Sequence, residues 1–433
     1  MKCLFLYNAT QTYTNTVHEH LGAFSKYSRH NFFFAHHDQY QELTIKPGFF
    51  DAIGIHYSVR LPYDQISEGA VRVFENFGGL KWLFIQDEYN FTHRAWYWIK
   101  RLGIDLVFTV VPSENIDKVY PATEFPDTRF VSVLTGYAPE NIPENLSIVP
   151  PSQREILVGY RGRNLPLEYG ILGQEKAGIG HLVRSYANSN QLRTDIEWTE
   201  EARVYGAAWY PFVASCRSML GSESGSNVFD WDGTLPEKVA RFRMSHPHVG
   251  NAQIYEAVIK PLEQPGLMNQ ISPRVFEAIA LRTVLVLFEG QYSGILEPDR
   301  HYIALRKDGS NLEDVFRQLS DLQHVDSLAR LAYDELIASG RFSYSNFVTQ
   351  VDSQLQDSVH GLTQAPSSTL KHVQFANPTP LTMFPIQANP APQPTAAAGP
   401  QIMMKRLLIK LWLVLPGSLR STLKPLLKSL RGA

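Results

Sequence analysis

Residues 272–290 read SPRVFEAIALRTVLVLFEG. The Ser-Pro pair suits a helix start, because proline is tolerated in the first turn, where its missing N–H would have had no partner. Val275, Phe276, Ala278, Ile279 and Ala280 then make a short amphipathic run, and TVLVLF is a dense apolar run of strand length closed by Glu289 and Gly290. A helix followed by a buried strand is half of a βαβ unit, and strands apolar throughout belong to a parallel sheet covered on both faces. Arg274 and Glu277 are the two charges inside the helix. Glu277 lies between Phe276 and Ala278, which predicts a carboxylate held in a packed wall.

The same alternation extends in both directions. Upstream, EILVGY (155–160), LRTDIEW (192–198) and SCRSML (215–220) read as strands, with helices expected from near Lys176 and over Glu200–Ala214. Downstream, GILEPDRHYIAL is a further strand region, residues 311–339 carry helical apolar spacing, and RFSYSNFVTQVDSQL reads as a last helix. Residues 1–150 repeat the pattern: KCLFLY, FFFAHH, DAIGIHY, KWLFIQDEY, DLVFTVV and RFVSVLTG are strand candidates, with helices around Gly69–Phe77 and Arg94–Leu102. Alternating strands and helices predict open, doubly wound sheets, in which ligands bind beyond the carboxyl ends of the strands.

The FEA helix, the small-residue loop LGSESGSN (220–227) and the basic GYRGR (159–163) together resemble the donor half of bacterial GT-B glycosyltransferases of surface-polysaccharide assembly. The likeness is closest over residues 155–340; residues 1–150 share only the order of elements. It implies an α/β fold of two Rossmann-like domains facing a cleft, an acceptor domain at 1–150 and a donor-nucleotide domain at 151–341. A helix at 342–360 would return to the first domain. It implies an enzyme that moves a sugar from a nucleotide-sugar donor to a glycan or lipid-linked acceptor, with no metal and no cofactor beyond the donor. A catalytically inactive GT-B protein that binds glycans or serves as a scaffold is the alternative.

The resemblance also assigns residues. Glu277 would meet the donor ribose, with Arg274 beside it. Arg161 or Arg163, with Lys176, would clamp the diphosphate, whose developing charge such cations stabilise without transferring a proton. Ser222, Ser224, Gly225, Ser226 and Asn227 would cradle donor hydroxyls or phosphate. The family's E-x(7)-E pattern is split here: Glu223 occupies the loop, Asn269 stands eight residues before Glu277, and residues 228–270 read as an insertion. Glu223 would then be the displaced first glutamate, which leans toward retention of configuration. In an inverting transfer a base must deprotonate the acceptor hydroxyl, and Asp87, then Glu88, at the end of KWLFI suit that role. Thr10 and Tyr13 in the glycine-free first loop, with His56 and His93, are expected to contact the acceptor. Asp230, Asp232, His246 and His248 in the insertion lack the spacing of a metal site.

Composition bounds the rest. The chain has 433 residues, enough for two domains with extensions, and two distant cysteines, Cys3 and Cys216, which fits a reducing compartment. The N-terminus lacks the apolar core of a signal peptide, so a cytoplasmic location is expected. Residues 361–400 hold eight prolines and read as a flexible linker. Residues 401–433 carry seven basic residues and no acid, which leaves the remainder of the chain at −9. An acidic body argues against nucleic acid as a partner. Leu419, Leu423, Leu426, Leu427 and Leu430 have helical spacing with the basic residues on another face, and Trp412 lies in the apolar run before them. Such a tail is expected to lie on the anionic inner face of a membrane.

Overall fold

Strands that are apolar along their whole length need cover on both faces, and this chain solves that problem twice. The computed structural model describes residues 1–8, 15–38, 40 and 42–361. The first sheet holds β1 (Lys2–Tyr7), β2 (Asn31–His36), β3 (Ala52–Ile55), β4 (Leu80–Ile85), β5 (Leu106–Thr109) and β6 (Arg129–Ser132). The second holds β7 (Ile156–Arg161), β8 (Thr194–Glu197), β9 (Cys216–Gly221), β10 (Val284–Phe288) and β11 (Ile303–Leu305). Every pairing between these strands is parallel. The strand orders are β2-β1-β3-β4-β5-β6 and β11-β10-β9-β7-β8. Counted from its own first strand, each sheet therefore contains the order 2-1-3-4-5. In both, the winding reverses between the first and third strands, where a crevice opens at the strand ends.

Alternate residues feed separate layers. Along β1, Cys3, Phe5 and Tyr7 join one core, and Leu4 and Leu6 join the other. The first of these cores is closed by α1 (Asn15–Tyr27) and the second by α2 (Glu68–Asn76), α3 (Thr92–Leu102) and the short α4 (Ile116–Val119). The second sheet is covered by α5 (Gly170–Ser189) and α10 (Leu312–Ser320) on one face, and by α6 (Trp209–Ser215) and α9 (Pro273–Ala280) on the other. Helix α11 (Leu322–Tyr333) contributes to both of these cores. Helix α12 (Tyr344–Gly361) returns to the first sheet, burying Phe347, Val348, Val351 and Leu355 beside Trp82 and Phe84. Asp352 fastens it, accepting from Ser28 Oγ at 2.7 Å and Arg29 N at 2.8 Å. The outgoing and returning crossovers run side by side, joined by Ala138 N donating to Phe342 O at 2.9 Å.

Residues 228–270 form α7 (Leu235–Ser245), α8 (Asn251–Ile254) and short turns around a small core of their own. The segment is also a strap. Phe229, Trp231, Leu267 and Met268 pack into the first domain's core. Asp230 N donates to Tyr89 O and Phe91 N to Asp230 O, both at 2.8 Å.

Two helix boundaries differ from the sequence expectation. The helix expected over Glu200–Ala214 reduces to α6, because Gly206 at φ +57° breaks the chain and leaves Arg203 and Tyr205 in an irregular loop. Helix α5 begins at Gly170, six residues before Lys176. The N–H of Ile171 in its first turn donates to Glu263 of the strap at 2.5 Å, which sets a carboxylate against this helix end. Thr10, Tyr13, the linker beyond Gly361 and the basic tail lie outside the described residues.

Candidate functional site

The two switch points face each other across a cavity of about 890 Å³. From the second domain Arg163, Lys176, Ser224, Gly225, Arg274 and Glu277 line it; from the first, Tyr57, Arg60, Tyr63, Gln86, Asp87 and Tyr89. A neighbouring cavity of about 670 Å³ shares Arg60, Asp87 and Arg163 and extends along the first domain.

On the second domain's wall, Ser272 caps α9 through its hydroxyl, and the helix brings Arg274 and Glu277 to the cavity. Glu277 is buried, and its Oε2 accepts from Trp209 Nε1 at 2.7 Å. Burial raises its pKa, while the Trp209 hydrogen bond and the Arg274 charge pull it back. Arg274 stacks over the Trp209 ring, 5.0 Å to the centroid, and donates to Arg161 O at 2.7 Å. The Lys176 ammonium donates to Glu223 O at 3.2 Å and to Ser224 Oγ at 3.3 Å. Burial, then the nearby Arg274 charge, lower its pKa to about 8, and an anion beside it would favour its charged form. Gly225 has φ +90°, and a Cβ there would meet Met268 O at 1.9 Å, so only glycine allows the loop to pass the strap.

On the opposite wall, Asp87 follows β4 in the left-handed region at φ +58° and accepts from Tyr89 OH at 2.8 Å. It borders both cavities.

Several residues expected at the site are engaged elsewhere. Glu88 is fully buried behind β5, where Thr109 Oγ1 and Val110 N donate to it; burial lifts its pKa to about 7. Glu223 turns its carboxylate away from the cleft: Tyr292 N donates at 2.8 Å, Gln291 N at 3.1 Å and Asn269 Nδ2 at 2.5 Å. Arg161 pairs with Asp195 at 2.8 Å and stacks on Phe212, which leaves Arg163 as the arginine that borders the cavity. Ser222 is buried beside the cleft, whereas Ser226 Oγ donates to Val228 O and Asn227 Oδ1 accepts from Met268 N; both hold the loop to the strap. His56 is fully buried, bonded to Ser58 Oγ and His20 Nδ1, and burial takes its pKa well below the usual imidazole value. His93 pairs with Asp232 at 2.8 Å and packs on Trp231, fastening the strap to α3. Asp230 accepts from the N–H groups of Thr234 and Leu235 at the start of α7.

Tyr57, Arg60, Tyr63, Tyr169, Arg203, Tyr205 and Trp209 were not anticipated. The strand-end rule reaches Tyr57 and Arg60, which directly follow β3. No sequence signal marks Trp209, whose partner is 68 residues away.

Neither a protein-family model nor a curated protein matches the chain. Among solved structures it is similar to an alpha-glucosyltransferase in complex with UDP and a 13-mer DNA containing an HMU base, at TM-score 0.48 and 10% identity, over 82% of this chain and 99% of that one. It is also similar to the Anabaena protein Alr3699/HepE in complex with UDP, at TM-score 0.44 and 11% identity, over 82% and 100%. A third is a sucrose-phosphate synthase from Thermosynechococcus elongatus, at TM-score 0.42 and 12% identity, over 83% and 99%. These values are low, and what the site can do is read from its own residues.

Proposed function

We propose that this chain is a glycosyltransferase taking a nucleotide-sugar donor, with a glycan or lipid-linked acceptor in bacterial surface-polysaccharide synthesis. The observation that carries it is the convergence of Arg163, Lys176 and Arg274 with the buried Glu277 on one wall of the cleft. Three cations suit a diphosphate leaving group, and a buried carboxylate suits a pair of ribose hydroxyls. The cations themselves neutralise the negative charge that develops on the leaving group, so turnover should persist in EDTA.

The test is thermal shift with nucleoside diphosphates. A ligand at 100 times its Kd adds about 2.7 kcal/mol of stability. Glu277→Ala should remove most of the shift given by wild type. A co-crystal with the nucleotide far from Glu277 would move the donor site elsewhere.

One observation favours a second reading, a GT-B protein that binds glycans without transferring sugar. Asn269 stands eight residues before Glu277, and the Glu223 carboxylate is consumed by the 290–292 turn. Slow hydrolysis of a nucleotide sugar by the purified protein decides between them.

The basic tail is assigned to an anionic membrane surface. Among the described residues no helix is long and apolar enough to cross a membrane. Deleting residues 401–433 is expected to abolish flotation with anionic liposomes and to leave nucleotide binding intact. High salt should weaken flotation of the full chain without abolishing it, since each basic residue adds about 1 kcal/mol near the surface while buried Leu and Trp412 are not screened. Equal flotation of both forms would place any membrane contact outside the tail.

A further inference from the structure

The two domains are tied together twice, on opposite faces of the first sheet. On one face α12 returns from the second domain and buries Phe347, Val348, Val351 and Leu355 in the core closed by α1. On the other face the strap enters the core closed by α2, α3 and α4, where Phe229, Trp231, Leu267 and Met268 pack. Hydrogen bonds fix both arms of the strap there. In the outgoing arm Asp230 N donates to Tyr89 O, Phe91 N donates to Asp230 O, and His93 N donates to Trp231 O at 3.0 Å. In the returning arm Asn115 Nδ2 donates to Gly266 O at 2.8 Å and to Leu267 O at 3.1 Å. The roots of the strap are fixed to the second domain in the same way. Ser224 and Gln270 exchange backbone bonds at 2.7 and 2.9 Å, and Gln264 N donates to Asn227 O at 2.8 Å. Domains joined along one side can rotate about that join, whereas a second apolar attachment on the opposite face resists the rotation. The outgoing arm also reaches the site. It holds the backbone of Tyr89, whose hydroxyl donates to Asp87 at 2.8 Å and whose ring meets that of Tyr169, just ahead of α5, at 5.7 Å.

We propose that Phe229 and Trp231 are positioning residues that hold the Asp87 turn opposite Lys176 before a donor arrives, so that nucleotide binding brings no hinge closure of the two domains. The consequence for turnover rests on the transfer reading above; the consequence for domain motion does not. Phe229 and Trp231 pack on each other, 5.7 Å between ring centroids, and Trp231 meets Trp96 edge-on at 5.8 Å, so withdrawing the strap would expose several rings to water at once.

The test is single-molecule FRET between dyes on Asn76→Cys in α2 and Asn188→Cys in α5, both exposed, whereas the native Cys3 and Cys216 are buried. The protein with its strap intact should give one narrow distance distribution, unchanged within about 2 Å by saturating UDP, as for other preorganised sites. Trp231→Ser should broaden the distribution without UDP, and Trp231→Phe, which keeps an apolar anchor, should restore it. In release of UDP from UDP-glucose, Trp231→Ser should lower kcat by about 10²-fold, the cost of a misplacement of roughly 1 Å. Its UDP affinity should stay close to that of wild type, because the diphosphate cations lie on the other domain, and that binding also shows that the variant is folded. Asn115→Ala removes only the two bonds to the returning arm; it should broaden the distribution less, and it replaces Trp231→Ser if that variant does not fold. A larger shift when UDP binds the intact protein, or a distribution as narrow as wild type in the folded variant, overturns the proposal. Broadening with unchanged kcat overturns the positioning role. Absence of UDP binding would instead sink the nucleotide-donor reading, and the unliganded distributions would still decide what the strap does.

Discussion

Lys176→Ala is expected to lower turnover by about 10²–10³-fold, the loss typical when one preorganised donor to developing negative charge is removed. The ammonium is held by Glu223 O and Ser224 Oγ at the cleft wall, in place before any donor arrives. Folding should suffer much less. The alanine gives up hydrogen bonds worth about 0.5–1.5 kcal/mol each, and it also removes a charge that burial already disfavours. Arg163→Ala should act in the same direction on turnover. It borders the cleft and is exposed, so its loss strains nothing else.

The lowered pKa of Lys176 fixes the sign of the pH response. The charged form dominates below about 8, so nucleotide affinity should be full there and fall as pH rises through that value. The unfolded chain keeps its lysine protonated to higher pH. Above pH 8 the unfolded state therefore binds more protons than the folded one, and this residue's effect on stability becomes more favourable as pH rises toward the ordinary lysine value. Affinity and stability thus respond to alkaline pH in opposite directions, and Lys176→Met should erase both responses. Isothermal titration of UDP from pH 6.5 to 9.5, beside thermal melts, measures the pair. Unchanged turnover in both Lys176→Ala and Arg163→Ala would remove the diphosphate clamp.

Asp87→Asn is expected to lower turnover by about 10²–10⁴-fold, the range for loss of a positioned general base. The substitution isolates the charge. Asparagine tolerates the left-handed backbone at φ +58°, and its Oδ1 can still accept from Tyr89 OH. UDP affinity should stay within a few-fold, because the diphosphate cations lie on the other domain. The product anomer, read by NMR, provides a second check: a base on the acceptor hydroxyl goes with inversion. Turnover within tenfold of wild type, or a retained anomer, would take the base role from Asp87.

Much of the second domain's cavity wall was legible in the sequence because its determinants are local. The run SPRVFEAIALRTVLVLF specifies a capped amphipathic helix and a buried strand with no reference to the rest of the chain. Glu277 falls between two packed residues of that helix, so its burial follows from spacing. Lys176 was found from its place after a basic loop, although the helix that carries it starts earlier than expected and is capped by Glu263.

The choices between neighbours were not legible. Arg161 and Arg163 are two residues apart, at the end of β7 and just beyond it, yet Asp195 on β8 captures the first and leaves the second at the cleft. Asp87 and Glu88 are adjacent, yet Thr109 on β5 holds Glu88 in the core. His56 looks like a strand-end ligand until His20, 36 residues away, is seen to meet its ring.

By itself, then, the sequence determined the alternation of buried strands and helices, the two-sheet architecture and the carboxylate on the FEA helix, since periodicity and burial act over a few residues. Tertiary structure alone decided which charges reach the cleft and that residues 228–270 strap the two sheets together. A buried polar group must find a partner or neutralise, and here those partners come from strands and loops tens of residues distant.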